Sequence, residues 1–136
     1  MESPNLLTII RQCTLFKNID DLSSYLLLHY GKIRLFAAGE TIFKKGDFSR
    51  GAFGLIVSGQ VGIISDTGQV IRGMGSGEIL GELGVTSPQN KRTATVKAIK
   101  PTELFEWNVD MMKTQLPEIM KRLKDLAWKN ASNYYE

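Results

Sequence analysis

Along the chain the apolar positions change their period twice, from helical to alternating and back. Leu6, Leu7, Ile9 and Ile10 precede a break around Thr14, and Asp20 or Asp21 is placed to cap a second helix running to about His29. Leu22, Tyr25, Leu26 and Tyr30 give that helix an apolar stripe, and Gly31 ends it. From Lys32 the period is two. Ile33 and Leu35 open a strand, Ala38-Gly39-Glu40 turns the chain into Thr41, Ile42 and Phe43, and Lys45-Gly46-Asp47 turns it again. Ala52 to Ser58, Gln60 to Ser65 with Val61 and Ile63 on one face, and Val70-Ile71 after the hairpin signal Asp66-Thr67-Gly68-Gln69 continue the series. Thr93 to Ala98 and Glu103 to Trp107 complete it. From Val109 the helical period returns, with Leu116, Ile119, Met120, Leu123, Leu126 and Ala127 as a wide stripe and Pro117 suited to a first turn.

About eight short strands with glycine turns, bracketed by helices, predict a mainly β sandwich or barrel rather than a βαβ fold. One domain over 1–136 is expected, with a helical N-terminus at about 5–30, a barrel at about 31–108 and helices at about 109–131. At 43% hydrophobic and 23% charged, the composition is that of a folded, water-soluble chain. The net charge of +3 carries no long basic run, so nucleic acid is not implied by charge. The single cysteine, Cys13, forms no internal disulfide and is expected as a small buried hydrophobe. With no signal peptide and no apolar run near the ~20 residues that span a bilayer, a cytoplasmic location without a membrane partner is expected.

Catalysis finds little to work with. The one histidine, His29, cannot by itself assemble a metal site or a nucleophile–base pair, so no metal and no catalytic residue is expected. Glycines 75, 77 and 81 are spaced G-x-G-x-x-x-G between strands, which departs from a dinucleotide fingerprint in both spacing and context, and no P-loop motif is present. The glycine-rich stretch Gly77 to Ala98, GEILGELGVTSPQNKRTATVKA, reads instead as a binding loop. Backbone N–H groups of Glu82, Leu83 and Gly84 at the start of a helical turn favour an anion, and Arg92 offers a planar fork to two phosphate oxygens. Ionised Glu82 only accepts hydrogen bonds, which suits a ligand hydroxyl. An anion and a hydroxyl close together describe a ribose phosphate.

The same run closely resembles the phosphate-binding cassette of cyclic nucleotide-binding domains, the regulatory modules of catabolite-activator-type regulators, cyclic-nucleotide-dependent kinases and gated channels. The family pattern, roughly G-E-L-A/G, a variable loop, then R-[TSA]-A, is met at Gly81, Glu82, Leu83, Gly84, Arg92, Thr93 and Ala94, with Gly46-Asp47 and Ile56 to Val61 as supporting marks. The likeness runs from about Leu15 into the C-terminal helix. It implies a double-stranded β-helix (jelly-roll) barrel with N-terminal helices, a short helix in the cassette and C-terminal helices. It also implies that Glu82 and Gly81 meet the ribose, while Arg92 pairs with the cyclic phosphate with help from backbone N–H groups of Leu83, Gly84 and Thr93. Ile71 becomes a candidate to pack under the base, and Trp128 or Tyr134 a candidate lid. Thr93 is compatible with cAMP or cGMP; cAMP is favoured, and no cofactor beyond that ligand is implied. Gly54 departs from the larger apolar residue usual in relatives. The chain is thus expected to be a stand-alone, non-enzymatic signalling module without an output domain or direct DNA binding. Its C-terminal helix would move toward an unknown downstream protein or across a homodimer. The alternative is a β-barrel interaction protein whose pocket is empty or takes another small effector.

Overall fold

The computed structural model describes residues 5–134, with side chains as far as Ala131. Two helices open the fold: α1 (Leu6–Gln12), capped by the Asn5 side chain, and α2 (Asp21–Tyr30), capped by Asp20, whose carboxylate accepts from the Ser23 N–H at 2.7 Å. A 3₁₀ turn (Thr14–Phe16) joins them. The strands follow as β1 (Lys32–Phe36), β2 (Thr41–Phe43), β3 (Ala52–Ser58), β4 (Gln60–Ile64), β5 (Val70–Gly75) and β6 (Ile79–Leu80). Then come the short α3 (Glu82–Thr86), β7 (Thr95–Ala98), β8 (Thr102–Asn108), and the C-terminal α4 (Val109–Gln115) and α5 (Pro117–Tyr134). The strands form two four-stranded antiparallel sheets, ordered β1-β8-β3-β6 and β2-β7-β4-β5, the jelly-roll arrangement that the resemblance implied.

Two apolar clusters explain why the strand patterns look as they do. Between the sheets lie Phe43, Ile56, Val61, Ile63, Met74, Leu80, Val96 and Leu104. On the outer face of the first sheet, Phe53, Leu55, Val57, Phe105 and Trp107 pack against Ile10, Phe16, Leu27, Met112, Ile119 and Leu123 from the helices. Strand β3 is covered on both sides, so it reads as an unbroken apolar run instead of an alternation. Gly54 belongs to this arrangement: a Cβ there would fall 2.8 Å from Cγ of Leu104, so the neighbouring strand already fills the volume that a larger residue would occupy.

One helix face differs from the sequence expectation. In α2 the buried residues are Ser24 and Leu27, with Leu26 partly buried against the core, whereas Leu22 is 66% and Tyr25 61% exposed and Tyr30 is exposed as well. The cause is an anchor from the sheet. The Trp107 indole Nε1 donates to the Leu27 carbonyl at 2.8 Å, which fixes the helix rotation about one position away from the stripe that hydrophobicity alone selects.

The C-terminal stripe is used within the chain. Leu116, Ile119, Met120, Leu123 and Ala127 are all buried, with Leu126 partly so. Cys13 is buried and free, and burial pushes its thiol pKa up, as suits a packed hydrophobe. Among the described residues no helix is long and apolar enough to cross a membrane, and no group of three or more His, Cys, Asp or Glu residues is placed to hold a metal.

Candidate functional site

Strand β6 ends at Leu80, and the chain must turn at once into α3. Gly81 makes that turn in the left-handed region at φ +87°, and a Cβ on it would lie 2.8 Å from Nη1 of Arg92 and 3.1 Å from the Phe43 ring. The glycine therefore serves both the backbone conformation and the close approach of the arginine. Helix α3 then starts with the N–H groups of Glu82, Leu83 and Gly84, which as first-turn donors have no carbonyl partner within the helix.

Arg92 reaches this turn from the far end of the cassette. Its backbone is stitched to the loop after β2: the Arg92 N–H donates to the Asp47 carbonyl at 2.7 Å, and the Gly46 N–H donates to the Arg92 carbonyl at 2.9 Å. The guanidinium lies over the Phe43 ring, 3.6 Å from its centroid. Nη2 donates to the carbonyls of Ala52 at 2.7 Å and Ser49 at 3.2 Å, and Nη1 to that of Gly81 at 3.4 Å. Burial lowers the Arg92 pKa to about 10, opposed by the negative charges of Glu106 and Glu82, so the side chain is a cation at neutral pH.

Glu82 is 1% and Arg92 7% exposed, and among the described residues these are the buried charged side chains. Buried charges are costly unless held by partners, and such pairs cluster at functional sites. Both line one concavity, floored by Phe43, Ile63, Met74 and Leu80 and edged by Leu83, Gly84 and Thr93. Its free volume is about 30 Å³, room for only a few water molecules. One carboxylate oxygen of Glu82, Oε1, accepts from the side-chain Nδ2 of Asn130 on α5 at 3.0 Å. The C-terminal helix therefore reaches the cassette directly.

The structure thus brings Gly81, Glu82, Leu83, Gly84, Arg92 and Thr93 to one cleft. It does not bring the base-packing and lid candidates there in this conformation. Ile71 on β5 is 63% exposed and outside the lining, which that strand supplies through Met74 instead. Trp128 is 85% exposed beside a different surface hollow with Thr14, Leu15 and Arg122. The Tyr134 side chain lies outside the described residues. Three contributors escaped sequence reasoning: Phe43, Met74 and Asn130. Phe43 and Met74 carry only a strand-core signal, and a polar residue near the end of an amphipathic helix carries none.

The family model for the cyclic nucleotide-binding domain matches residues 13–117. No curated protein matches the chain. Among solved structures, the cAMP-bound PfPKA-R fragment (141–441) superposes with a TM-score of 0.80 at 23% identity, covering 95% of this chain and 43% of that one. The regulatory domain of Toxoplasma gondii PKA, crystallised with cAMP, gives 0.72 at 24% identity over 95% and 47%. The Thermus thermophilus catabolite activator protein gives 0.72 at 27% identity over 88% and 58%. The chain spans less than two thirds of each of these structures. At such identities the first two speak to the fold alone. With the model match extending over most of its length, the chain belongs to the cyclic nucleotide-binding domain family.

Proposed function

We propose that this chain binds a 3′,5′-cyclic nucleotide, cAMP in preference to cGMP, and relays its presence through the C-terminal helix. The observation that carries the reading is that the buried charges Glu82 and Arg92 face one concavity at the start of α3. In this reading Glu82 accepts the ribose 2′-hydroxyl, and Gly81 allows the sugar close to the backbone. Arg92 and the N–H groups of Leu83, Gly84 and Thr93 hold the cyclic phosphate. Oriented donors in a poorly solvated site suit a compact anion. Met74 and Ile63 supply an apolar wall nearby; Ile71, to pack under the base, and Trp128, as a lid, would have to move to serve, and Tyr134 is the other lid candidate.

Relay follows from differential affinity. A ligand shifts the position of α5 only if it binds one position better than another. Since the apolar stripe of α5 is packed within the chain, a homodimer through this helix would use the opposite face, where Trp128 stands. The downstream protein would read the same face. A second reading has its own support: the tight volume and the engagement of Arg92 with protein carbonyls suit a barrel that is filled by its own side chains and works by protein contact.

Thermal melting with cAMP and with cGMP separates the two. At 100 times its dissociation constant a true ligand adds about 2.7 kcal/mol of stability. The nucleotide that shifts the midpoint at the lower concentration is the preferred guest, and no shift with either at millimolar concentration overturns the binding reading.

A further inference from the structure

Glu82 is 1% exposed, and its Oε1 accepts a hydrogen bond from Asn130 on α5. A ligand hydroxyl donating to that carboxylate must approach where solvent at present cannot. The adjoining free volume of about 30 Å³ is too small for a sugar, so part of the wall has to move. Asn130 is itself only half-buried, lies within two turns of the end of α5, and also borders a separate hollow of about 180 Å³ with Arg72, Glu78 and Leu126. Met74 lines both spaces, so Asn130 and Met74 stand between the narrow site and a larger one.

We propose that Asn130 is a specificity-determining latch: its amide holds the Glu82 carboxylate in the ligand-free protein, and only a ligand that brings its own hydroxyl donor replaces it and releases the end of α5. The inference rests on the cyclic-nucleotide reading of the site. The physical basis is that a buried carboxylate stripped of a donor is costly, so exchange of one donor for another is nearly balanced while loss without replacement is not. A nucleotide with a 2′-hydroxyl makes the exchange. A 2′-deoxy nucleotide has no hydroxyl to offer in exchange and leaves Asn130 in place.

The test is a cycle of two proteins, wild type and Asn130→Ala, against two ligands, cAMP and 2′-deoxy-cAMP, read by calorimetry. Removing the latch raises the binding-competent fraction, so Asn130→Ala is expected to bind cAMP about three- to tenfold more tightly. The gain for 2′-deoxy-cAMP is expected to be smaller, because that ligand does not complete the exchange. Hydrogen exchange of α5 without any ligand is the independent arm: Asn130→Ala is expected to lose protection in the last turns of α5 while its melting midpoint stays within a few degrees. Equal or weaker cAMP binding by Asn130→Ala, or equal gains for both nucleotides, overturns the latch while leaving the cyclic-nucleotide reading intact. Absence of cAMP and cGMP binding to both proteins overturns that reading and the ligand exchange with it, whatever the hydrogen exchange of α5 shows.

Discussion

The Arg92 guanidinium rests on the face of Phe43, 3.6 Å from the ring centroid, while its Nη2 reaches back to the carbonyls of Ser49 and Ala52. One side chain thereby joins β2, the loop before β3 and the cassette. A cation over an aromatic face is worth up to about 2 kcal/mol when desolvated. Phe43 is also part of the core between the sheets. Phe43→Leu keeps most of the volume and removes the aromatic face, so a stability loss of about 2 kcal/mol is expected, read as a lower urea midpoint at unchanged slope. A loss below ~0.5 kcal/mol would show that the stacking is incidental.

Arg92→Lys isolates the geometry of the fork. An ammonium keeps the charge but cannot bond two carbonyls and a phosphate in one plane. Arg92→Ala is expected to weaken cyclic nucleotide binding by on the order of 2–5 kcal/mol, and Arg92→Lys by a smaller but clear amount. Calorimetry on both variants, with melting to verify folding, decides it. Wild-type affinity in the alanine variant means that the phosphate is held elsewhere.

Glu82→Gln tests the other charge at lower cost. The amide oxygen still accepts from Asn130 or from a hydroxyl, so a loss of about 1 kcal/mol in affinity is expected, well short of the arginine effect. If Glu82→Gln abolishes binding outright, the carboxylate's charge and not its acceptor capacity is what the ligand requires.

The pH dependence has a definite sign. Burial lowers the Arg92 pKa from its ordinary value to about 10, so between about 10 and that ordinary value the unfolded chain binds more protons than the folded one. Stability from this group therefore rises with pH through that window, and the cost of its buried charge is fully present below pH about 10. Because Arg92 remains a cation through neutrality, ligand affinity is expected to be flat from about pH 6.5 to 9 and to decline only toward pH 10 as the charge is lost. Titrations at three pH values across that range check it; a tenfold change between pH 7 and 8.5 would assign control to another group.

How far the chain could be read without coordinates depended on whether each contact left a local mark. The cassette did, because a turn at positive φ favours a glycine such as Gly81, and a planar fork that reaches several oxygens at once requires an arginine such as Arg92. The strands did too, since glycine turns and period-two runs bound them. The face of α2 did not: its rotation is set by Trp107 bonding the Leu27 carbonyl from 80 positions away, while its exposed leucine and tyrosines make an equally good stripe. Asn130 left no mark either. Its importance exists only because α5 returns to lie beside α3, and nothing in a stretch reading KNAS announces a partner at Glu82. Gly54 shows the reverse case, a residue that looks out of place in a strand until Leu104 is seen filling its space.

Gly81 offers the sharpest single-site test of how the turn and the arginine depend on each other. With φ at +87° any side chain strains the backbone, and an alanine Cβ would sit 2.8 Å from Nη1 of Arg92. The strain alone costs about 1–3 kcal/mol. The clash adds to it by pushing the guanidinium off the Gly81 carbonyl and along the Phe43 face. Gly39 is the control, because it has a similar φ of +88° but no atom within 4 Å of its would-be Cβ. Gly39→Ala is expected to lower stability by the backbone cost only and to leave cyclic nucleotide affinity unchanged. Gly81→Ala is expected to lose more stability and at least tenfold in affinity, because the displaced arginine no longer meets the phosphate. Denaturant unfolding and calorimetry on the pair measure both effects. Equal losses of stability with unchanged affinity in both variants would mean that the glycine serves the turn and has no part in placing Arg92.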